Sequence, residues 1–442
     1  MAKTHSQYIC QQCGYSQVGW AGRCPNCDTW GSLAETIVEK KSKVKGPRSK
    51  VGIKKPVSLS KISSKRTSRI STKISELDRV LGGGLVEGQA VLLAGEPGIG
   101  KSTLLLQVAD KLSKKNSPFL YVSGEESVGQ IKIRANRLGI KNPSLKLSED
   151  IDIDSIIDTI ATFKRSTFKG VVIDSIQTMT TGDLSGMAGS VGQVRESAYR
   201  VVRVAKENGF PVILVGHVTK EGTVAGPAVL AHMVDTVLWF EGDKRLTLRI
   251  LRAVKNRFGA TDEVGIFSME DRGLISQSNP EKIFLTKGEK QVAGSSIASI
   301  MEGTRPILVE VQSLVVKSNL AYPRRVAQGF DAKRLELLLA VLTKRCGLPL
   351  YEYDCFINIA GGIRVDEPAA DLAVCMSIAS SFFDKALPKG TIAIGEVGLL
   401  GDVREVVGQE QRTKEARRIG YTKPITYKQV KFVNQAIRTY LR

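Results

Sequence analysis

Short apolar runs alternate with longer mixed segments from about residue 70 onward. Four runs rich in Val, Leu and Ile predict buried strands at residues 90–94, 119–122, 170–174 and 211–215. Residues 102–112 predict a helix between the first two strands. Apolar strands separated by helical spacers are typical of a mostly parallel sheet, so this part of the chain is predicted to have an α/β fold.

The same pattern divides the chain into domains. Residues 1–35 hold four closely spaced cysteines, and residues 36–69 are crowded with Lys, Arg and Ser and hold few large apolar side chains. Such a segment cannot bury a core and is predicted to be a flexible basic linker. Turn residues return around residue 273, so we predict a first α/β domain over 70–275 and a second over 276–442.

Two later apolar runs, at residues 236–240 and 246–253, extend the first α/β domain. They predict a further pair of strands, for which an antiparallel arrangement fits.

The charge of the chain points to the class of its partner. The 442 residues carry a net charge of +20, with 42% hydrophobic and 24% charged residues, as in a globular protein of two or three domains. A strongly basic protein favours a polyanion, nucleic acid first and an anionic membrane second. Charge alone does not choose between them.

The first residues, Met1 to Gln7, lead into no apolar run of the kind found in signal peptides. The apolar runs elsewhere are shorter than the roughly 20 residues that a membrane span needs. We therefore expect a cytoplasmic protein without membrane association. In that compartment the seven cysteines favour metal binding or free thiols over disulfides.

Two close cysteine pairs near the start are separated by a short loop, and they predict a structural zinc finger. Four thiolates can surround Zn²⁺ tetrahedrally, and they leave no open position for catalysis. His5 lies outside this spacing. The predicted ligands are Cys10, Cys13, Cys24 and Cys27.

A glycine-rich segment directly after the first predicted strand matches the P-loop pattern G-x-x-x-x-G-K-S. Its backbone N–H groups and the following helix N-terminus favour phosphate. Lys101 is predicted to act catalytically by reaching the β- and γ-phosphates of ATP, and Ser102 is a predicted Mg²⁺ ligand. The predicted nucleotide-binding residues are Gly95, Glu96, Pro97, Gly98, Ile99, Gly100, Lys101, Ser102 and Thr103.

Two acidic positions follow neighbouring strands. Asp174 ends the strand at 170–174, the place from which a carboxylate assists in holding Mg²⁺ beside a P-loop. Glu125 follows the strand at 119–122 and is predicted to orient the attacking water, with Glu126 as the alternative.

The segment Lys255-Asn256-Arg257-Phe258-Gly259 places two cations on a turn after a strand. Such cations can reach a γ-phosphate, and spacing does not say whether the nucleotide belongs to the same subunit or to a neighbour. A basic surface turn is the more common explanation of the pattern.

Taken together, these motifs resemble those of the bacterial RadA (Sms) DNA-repair ATPases over essentially the whole chain. The matching features are the four-Cys finger, the run Leu77 to Leu85 before the P-loop, and the pentapeptide that begins at Lys255. A further matching feature is a C-terminal domain similar to the proteolytic domain of Lon.

This resemblance implies a RecA-like core that assembles into a hexameric ring with ATP between subunits. Lys255 and Arg257 would then act catalytically on the neighbour's ATP, as an arginine finger does. Residues 216–222, with His217, would sense nucleotide and enter the DNA channel, and residues 176–192 would form another central loop. The implied partners are single-stranded and branched DNA and the RecA recombinase.

The Lon-like tail departs from the protease pattern. Ala369 stands where the nucleophilic serine should be, and the position of the dyad lysine falls near Glu410. Covalent acyl transfer has no route without an activated nucleophile, so we expect no peptidase activity. The domain would serve as a scaffold, with arginines that could contact DNA phosphates: Arg324, Arg325, Arg334 and Arg364.

The leading hypothesis is an ATP-driven motor on DNA in homologous recombination, extending RecA strand-exchange intermediates by branch migration. An ATP-dependent protease or chaperone is a second class, suggested by the Lon-like tail and disfavoured by Ala369. A KaiC-like signalling ATPase is a third, which leaves the finger and the charge of +20 unexplained.

Overall fold

The computed structural model describes residues 4–39, 69–217, 227–242, 248–279, 284–285 and 292–442. The chain divides into one unit over Met1–Ser276 and a second over Gln277–Arg442. Most of the predicted linker, and residues 218–222 of the predicted channel turn, lie outside the described residues.

The N-terminal ribbon is a small antiparallel sheet in which the longest strand is central. Its strands are β1 (Thr4–Cys10), β2 (Ser16–Gln17) and β3 (Leu33–Glu39). The order is β2-β1-β3, and Cys10 pairs with Leu33 across the sheet. The turn after β1 therefore lies beside the start of β3.

The rest of the first unit is built on one large sheet with helices on both faces. A short separate pair is formed by β4 (Arg69–Ile70) and β5 (Leu85–Val86). The strands of the large sheet are β6 (Ala90–Gly95), β7 (Phe119–Ser123), β8 (Leu145–Ser148), β9 (Val171–Asp174), β10 (Val212–His217), β11 (Thr236–Glu241), β12 (Leu248–Asn256), β13 (Val264–Glu270) and β14 (Gly273–Ser276). Its helices are α1 (Ser75–Val80), α2 (Lys101–Leu112), α3 (Val128–Arg137), α4 (Ile153–Ala161), α5 (Val191–Asn208) and α6 (Pro227–Ala231).

The large sheet has nine strands in the order β14-β13-β12-β11-β6-β10-β9-β7-β8. From β11 to β8 all neighbours are parallel, and from β11 to β14 they are antiparallel. The α/β fold predicted from the sequence is confirmed, including the antiparallel pair β11–β12. The carboxyl ends of the parallel strands meet at one edge of the sheet, which is where such folds place their ligands.

Both faces of this sheet are buried, which explains why its strands are continuously apolar. Along β6, Val91 and Leu93 join one core cluster with α2, whereas Ala90 and Leu92 join another with α5. Consecutive side chains therefore supply opposite cores, and the centre of the sheet is held from both sides.

In its described residues, the second unit combines a four-stranded sheet with four helices. Its strands are β15 (Ser295–Glu302), β16 (Arg305–Lys317), β17 (Arg325–Gln328), β18 (Tyr353–Ile359), β19 (Thr391–Ala393), β20 (Glu396–Val397), β21 (Val403–Arg404) and β22 (Lys423–Ile425). Its helices are α7 (Ala332–Cys346), α8 (Asp371–Phe383), α9 (Gln409–Ile419) and α10 (Val433–Leu441).

The main sheet of the second unit runs β15-β16-β18-β17, and β17 and β18 are parallel. Helix α8 packs on β15 and β16, and its residues from Asp371 to Ser380 are all buried. This unit is therefore a second α/β core formed around α8.

Among the helices described, none is both long and apolar enough to span a bilayer.

Candidate functional site

The four predicted metal ligands converge in the ribbon. The Sγ atoms of Cys10, Cys13, Cys24 and Cys27 all lie within 4.8 Å of one another, and two of the Sγ–Sγ distances are 3.5 Å. Four sulfurs at the usual Zn–S distance of ~2.3 Å lie ~3.8 Å apart, so the cluster fits a tetrahedral zinc ion. Because the cluster joins the turn after β1 to a second turn before β3, it closes a ribbon whose own core is small.

The P-loop follows β6 and leads into α2, as predicted. Gly100 caps the helix with φ of 115°, and a Cβ at this position would lie 2.6 Å from Cε of Met269. A side chain would therefore be strained in conformation and in space, so the loop requires glycine here. The first N–H groups of α2 remain directed at the loop, an arrangement that favours an anion.

Lys101 is buried at the first position of α2. Its Nζ donates to the carbonyl oxygens of Gly95 and Glu96 at 2.8 and 3.0 Å. Burial lowers the pKa of Lys101 to about 8, and the carboxylates of Asp174 and Glu125 oppose this shift. The amine is thus folded back on its own loop, within reach of two acids that carry the opposite charge.

Asp174 ends β9 and lies buried at the same edge of the sheet. Its Oδ2 accepts a hydrogen bond of 2.5 Å from the hydroxyl of Tyr121, a buried residue of β7. Burial raises the pKa of Tyr121, and the charge of Asp174 raises it further, so the phenol stays protonated as a donor. Tyr121 fixes one oxygen of Asp174 and leaves the other for a ligand.

Glu125 lies just beyond β7 and is held from two directions. Its Oε1 accepts a hydrogen bond of 2.5 Å from the buried hydroxyl of Ser175, and Nε2 of His217 lies 3.0 Å from the same oxygen. Glu126 instead forms an ion pair with Arg134 of α3. The structure therefore places Glu125, and not Glu126, beside the P-loop lysine and Asp174.

His217 ends β10, where it pairs in register with Gly95 of β6. Its backbone oxygen accepts a hydrogen bond of 3.3 Å from the side-chain amide of Gln177. The residue thus connects the strand beside the P-loop to the segment after Asp174. The predicted loop at 176–192 begins with a short 3-10 turn over Ile176–Thr178, and α5 already starts at Val191.

Lys255 and Arg257 do not join this cluster. Lys255 Nζ donates to the carbonyl oxygens of Ala231 and Val234 at 2.7 and 2.8 Å, and burial lowers the pKa of Lys255, with the charge of Arg257 as the next cause. Arg257 Nη1 lies 3.2 Å from Oδ1 of Asp235, with more than half of its side chain exposed.

These two cations lie at the opposite edge of the sheet from the P-loop. Asp235, the partner of Arg257, accepts a hydrogen bond of 3.0 Å from the backbone N of Ala90, the first residue of β6. The P-loop begins at the other end of that strand, at Gly95. At about 3.3 Å per residue, the two ends of β6 are roughly 17 Å apart.

Two contacts of the site escaped sequence reasoning. Ser175 and Tyr121 each hold a predicted acid, but neither belongs to a recognised motif. The register of β7 and β9 brings them there, since Ser123 pairs with Asp174. In the sequence, the one signal of these contacts was the hydroxyl of Ser175, directly after the strand-ending Asp174.

In the second unit, the position predicted for a protease nucleophile is a buried alanine. Ala369 lies in a short 3-10 turn ahead of α8, and its carbonyl accepts a 3.0 Å hydrogen bond from the backbone N of Gly395. Glu410, at the position expected for the dyad lysine, is exposed on α9.

Buried and partly buried ion pairs surround this turn. Arg412 is almost fully buried and donates to both carboxylate oxygens of Glu367, at 2.8 and 2.6 Å. Arg334 pairs with the buried Asp371, and burial raises the pKa of Asp371 while Arg334 opposes that shift. Arg364 pairs with Asp366 on the surface. Arg334 is therefore held inside the unit rather than left open to a phosphate.

The fold and the site define the class of the protein: a RecA-like P-loop ATPase with an N-terminal four-cysteine zinc ribbon. Residues 56–223 match the AAA domain family, and residues 8–35 match the rubredoxin metal binding domain. The family follows from whole-chain similarity to the DNA repair protein RadA of several bacteria. The chain belongs to the RadA family of DNA repair proteins.

The similarity to these relatives extends over nearly the full length of both chains. The RadA protein of Bacillus subtilis is 49% identical over 428 residues, covering 96% of this chain and 93% of its own. That of Pseudomonas aeruginosa is 48% identical over 426 residues, with the same coverage.

A solved KaiC-like protein from Pyrococcus horikoshii matches 48% of this chain and 99% of its own, at 20% identity and a TM-score of 0.40. At that score the likeness carries no conclusion about this chain.

Proposed function

We propose that this protein is a DNA-dependent ATPase that works as a hexameric ring motor in homologous recombination and DNA repair. It would bind single-stranded and branched DNA and drive branch migration of intermediates made by the RecA recombinase. The observation that carries the proposal is the convergence of Lys101, Asp174 and Glu125 at one sheet edge, in a chain whose relatives are named for DNA repair.

The residues at that edge fit the binding of Mg–ATP. Lys101 would exchange its contacts with the loop carbonyls for the β- and γ-phosphates, and the N–H groups of 95–103 would surround them. Ser102 and Asp174 would hold Mg²⁺, which neutralises phosphate charge. Tyr121 would keep Asp174 oriented for this role.

Glu125 supports hydrolysis as the residue that orients the attacking water. A carboxylate held by Ser175 and His217 has a fixed direction, and it lies close enough to Lys101 to affect the pKa of that lysine. Since His217 ends the strand that leads into the predicted channel turn, it offers a route by which DNA could alter the position of Glu125.

The placement of Lys255 and Arg257 supports action between subunits. Arg257 is paired with Asp235 at the amino end of β6, roughly 17 Å from its own P-loop, and the amine of Lys255 is bonded to the neighbouring Val234 and so is turned away from that loop. In a ring, the same edge would face the nucleotide of the next copy, where Arg257 would stabilise charge in the transition state.

The second unit supports a scaffold function. We propose that it is a Lon-protease-like domain without peptidase activity, since the nucleophile position holds the methyl group of Ala369 and the position of the dyad lysine falls near Glu410. A protease assay with casein and ATP tests this, and cleavage abolished by a substitution in this unit would contradict it.

An ATPase titration with single-stranded DNA tests the central proposal. We expect turnover to rise with single-stranded DNA and not with RNA or protein, and Lys101→Ala to remove it. Electron microscopy of the protein in nucleotide and magnesium tests the ring. A protein that binds no DNA at low ionic strength, with nucleotide saturating, would overturn the proposal.

A further inference from the structure

Two tryptophans of the zinc ribbon stand out because they are exposed. Trp20 and Trp30 have relative exposures of 67% and 75%, unusual for the largest apolar side chains. A Cβ placed on Gly22 would lie 3.7 Å from the ring of Trp20 and 3.5 Å from the ring of Trp30. The two indoles therefore lie over the same glycine, on one side of the ribbon.

The metal cluster fixes this pair in place. Trp20 precedes and Trp30 follows the turn that carries Cys24 and Cys27. Trp30 forms a backbone bridge with Arg23, and the N–H of Gly31 donates to the carbonyl of Gly22 at 2.8 Å. The backbone on the two sides of this turn is thus tied together, which keeps the segments that carry the two rings close to each other.

The charge around the rings narrows the choice of ligand. Between Ser6 and Ala34 the sequence has two charged side chains, Arg23 and Asp28, and these pair with each other at 3.3 Å. The next segment is different: residues 40–69 contain no Asp or Glu. They contain twelve cations, Lys40, Lys41, Lys43, Lys45, Arg48, Lys50, Lys54, Lys55, Lys61, Lys65, Arg66 and Arg69.

We infer that the Trp20–Trp30 pair is a stacking platform for the bases of single-stranded DNA. The ribbon carries two exposed indoles, the one anion between them in the sequence, Asp28, is paired with Arg23, and residues 40–69 carry a concentrated positive charge. Aromatic faces combined with a basic tract are how proteins bind single strands without sequence preference. The inference rests on the proposed DNA function and adds the place where bases are bound.

Intrinsic fluorescence tests the platform in the full-length protein. The chain has three tryptophans, and Trp239 lies half-buried in β11. In a Trp239→Phe background, all tryptophan emission comes from the ribbon. We expect oligo(dT) to quench that emission, and an abasic oligonucleotide of the same length and charge to leave it unchanged.

Affinity supplies the second measurement. In anisotropy titrations, the Trp20→Ala/Trp30→Ala double variant should bind oligo(dT) at least about tenfold more weakly, while its affinity for the abasic strand stays that of the parent. Tyr199→Ala, which removes an exposed aromatic of α5, is the matched control and should bind like the parent. Equal zinc content in all variants shows that the ribbon has folded.

The possible failures are distinguishable. Unchanged affinity of the double variant, or equal quenching by both strands, overturns the platform and leaves DNA binding intact. Absence of DNA binding in the parent overturns the proposed function itself. Emission that shifts with protein concentration in the absence of DNA places the rings against a second copy, and also overturns the platform.

Discussion

At the scale of single residues, the nucleotide site depends on contacts that hold its acids in place. Ser175 and His217 meet on one oxygen of Glu125, and Tyr121 binds one oxygen of Asp174. None of the three donors belongs to a phosphate-binding motif. The orientation of the two acids therefore depends on hydroxyl and imidazole groups outside the P-loop.

Ser175→Ala should lower kcat for ATP hydrolysis about tenfold or more and change the KM for ATP much less, because Glu125, the residue proposed to orient the attacking water, loses a fixed donor. Steady-state kinetics measure both constants. Ser175→Thr retains a hydroxyl and should recover part of kcat, and Thr162→Ala, at an exposed position directly after α4, is the control. Equal kcat for Ser175→Ala and the parent would contradict the role.

The affinity for ADP should decline as pH rises above about 8. Burial lowers the pKa of Lys101 to about 8 from an ordinary value of 10.5. In the nucleotide-free protein, the amine of Lys101 therefore loses its proton as the pH rises past about 8. Phosphate favours the charged amine, so binding must take up a proton there, and Kd should approach a tenfold rise per pH unit. Calorimetry in buffers of different ionisation enthalpy measures the uptake, which Lys101→Met should abolish.

At the scale of elements, the opposite ends of β6 contact different groups of candidate residues. Its carboxyl end leads into the P-loop, and its amino end is bonded to Asp235, the partner of Arg257. The arrangement of the sheet thus separates the groups that bind a nucleotide from the cations proposed to act on a neighbour's.

Mixing two inactive variants tests that separation. Arg257→Ala and Lys101→Ala should each lack DNA-stimulated turnover alone, but Arg257→Ala should still bind ATP. Mixed assemblies should recover a fraction of the activity, because an Arg257→Ala subunit can receive Arg257 from its neighbour. Arg203→Ala, on the exposed surface of α5, is the control. No recovery over a range of mixing ratios would contradict action between subunits.

The buried pair between α9 and the turn before α8 yields a stability prediction. Glu367→Gln should lower the free energy of unfolding by about 3–5 kcal/mol, because it leaves the buried guanidinium of Arg412 without a counter-charge. Thermal or denaturant unfolding measures the loss. Arg364→Ala removes an exposed pair and should leave stability unchanged, and an equal effect of both substitutions would contradict the argument.

Sequence patterns were sufficient for features whose chemistry lies within a few neighbouring residues. The cysteine spacing and the P-loop are of this kind. The sequence could not decide between Glu125 and Glu126, because the two acids are adjacent and differ only in their partners in the fold. Glu125 contacts Ser175, and Glu126 contacts Arg134. Strand β14 was also missed, because four residues in a turn-rich region form a strand only by pairing with β13.

At the scale of the whole molecule, the excess of positive charge is the dominant property. The net charge of +20 is unevenly distributed: twelve cations, the Lys and Arg residues of 40–69, follow a ribbon with almost none. Under the proposed function, long-range attraction and short-range recognition of DNA would therefore belong to different segments.

Binding of single-stranded DNA should weaken steeply with salt. If roughly five phosphates are neutralised, doubling the salt concentration should reduce affinity about tenfold, because condensed counterions are released on binding. Anisotropy titrations over a series of salt concentrations give the slope. Replacing half of the cations between residues 40 and 69 by glutamine should reduce it, and an unchanged slope would show that other residues neutralise the backbone.

The two ends of β6 also bear on whether an assembly of copies is open or closed. An open row of copies always leaves one pair of cations facing solvent at one extremity and one nucleotide without them at the other. Joining the extremities removes both defects at once. If these cations act on a neighbour's nucleotide as proposed, the separation along β6 would favour a closed ring over a linear filament, whatever the number of subunits.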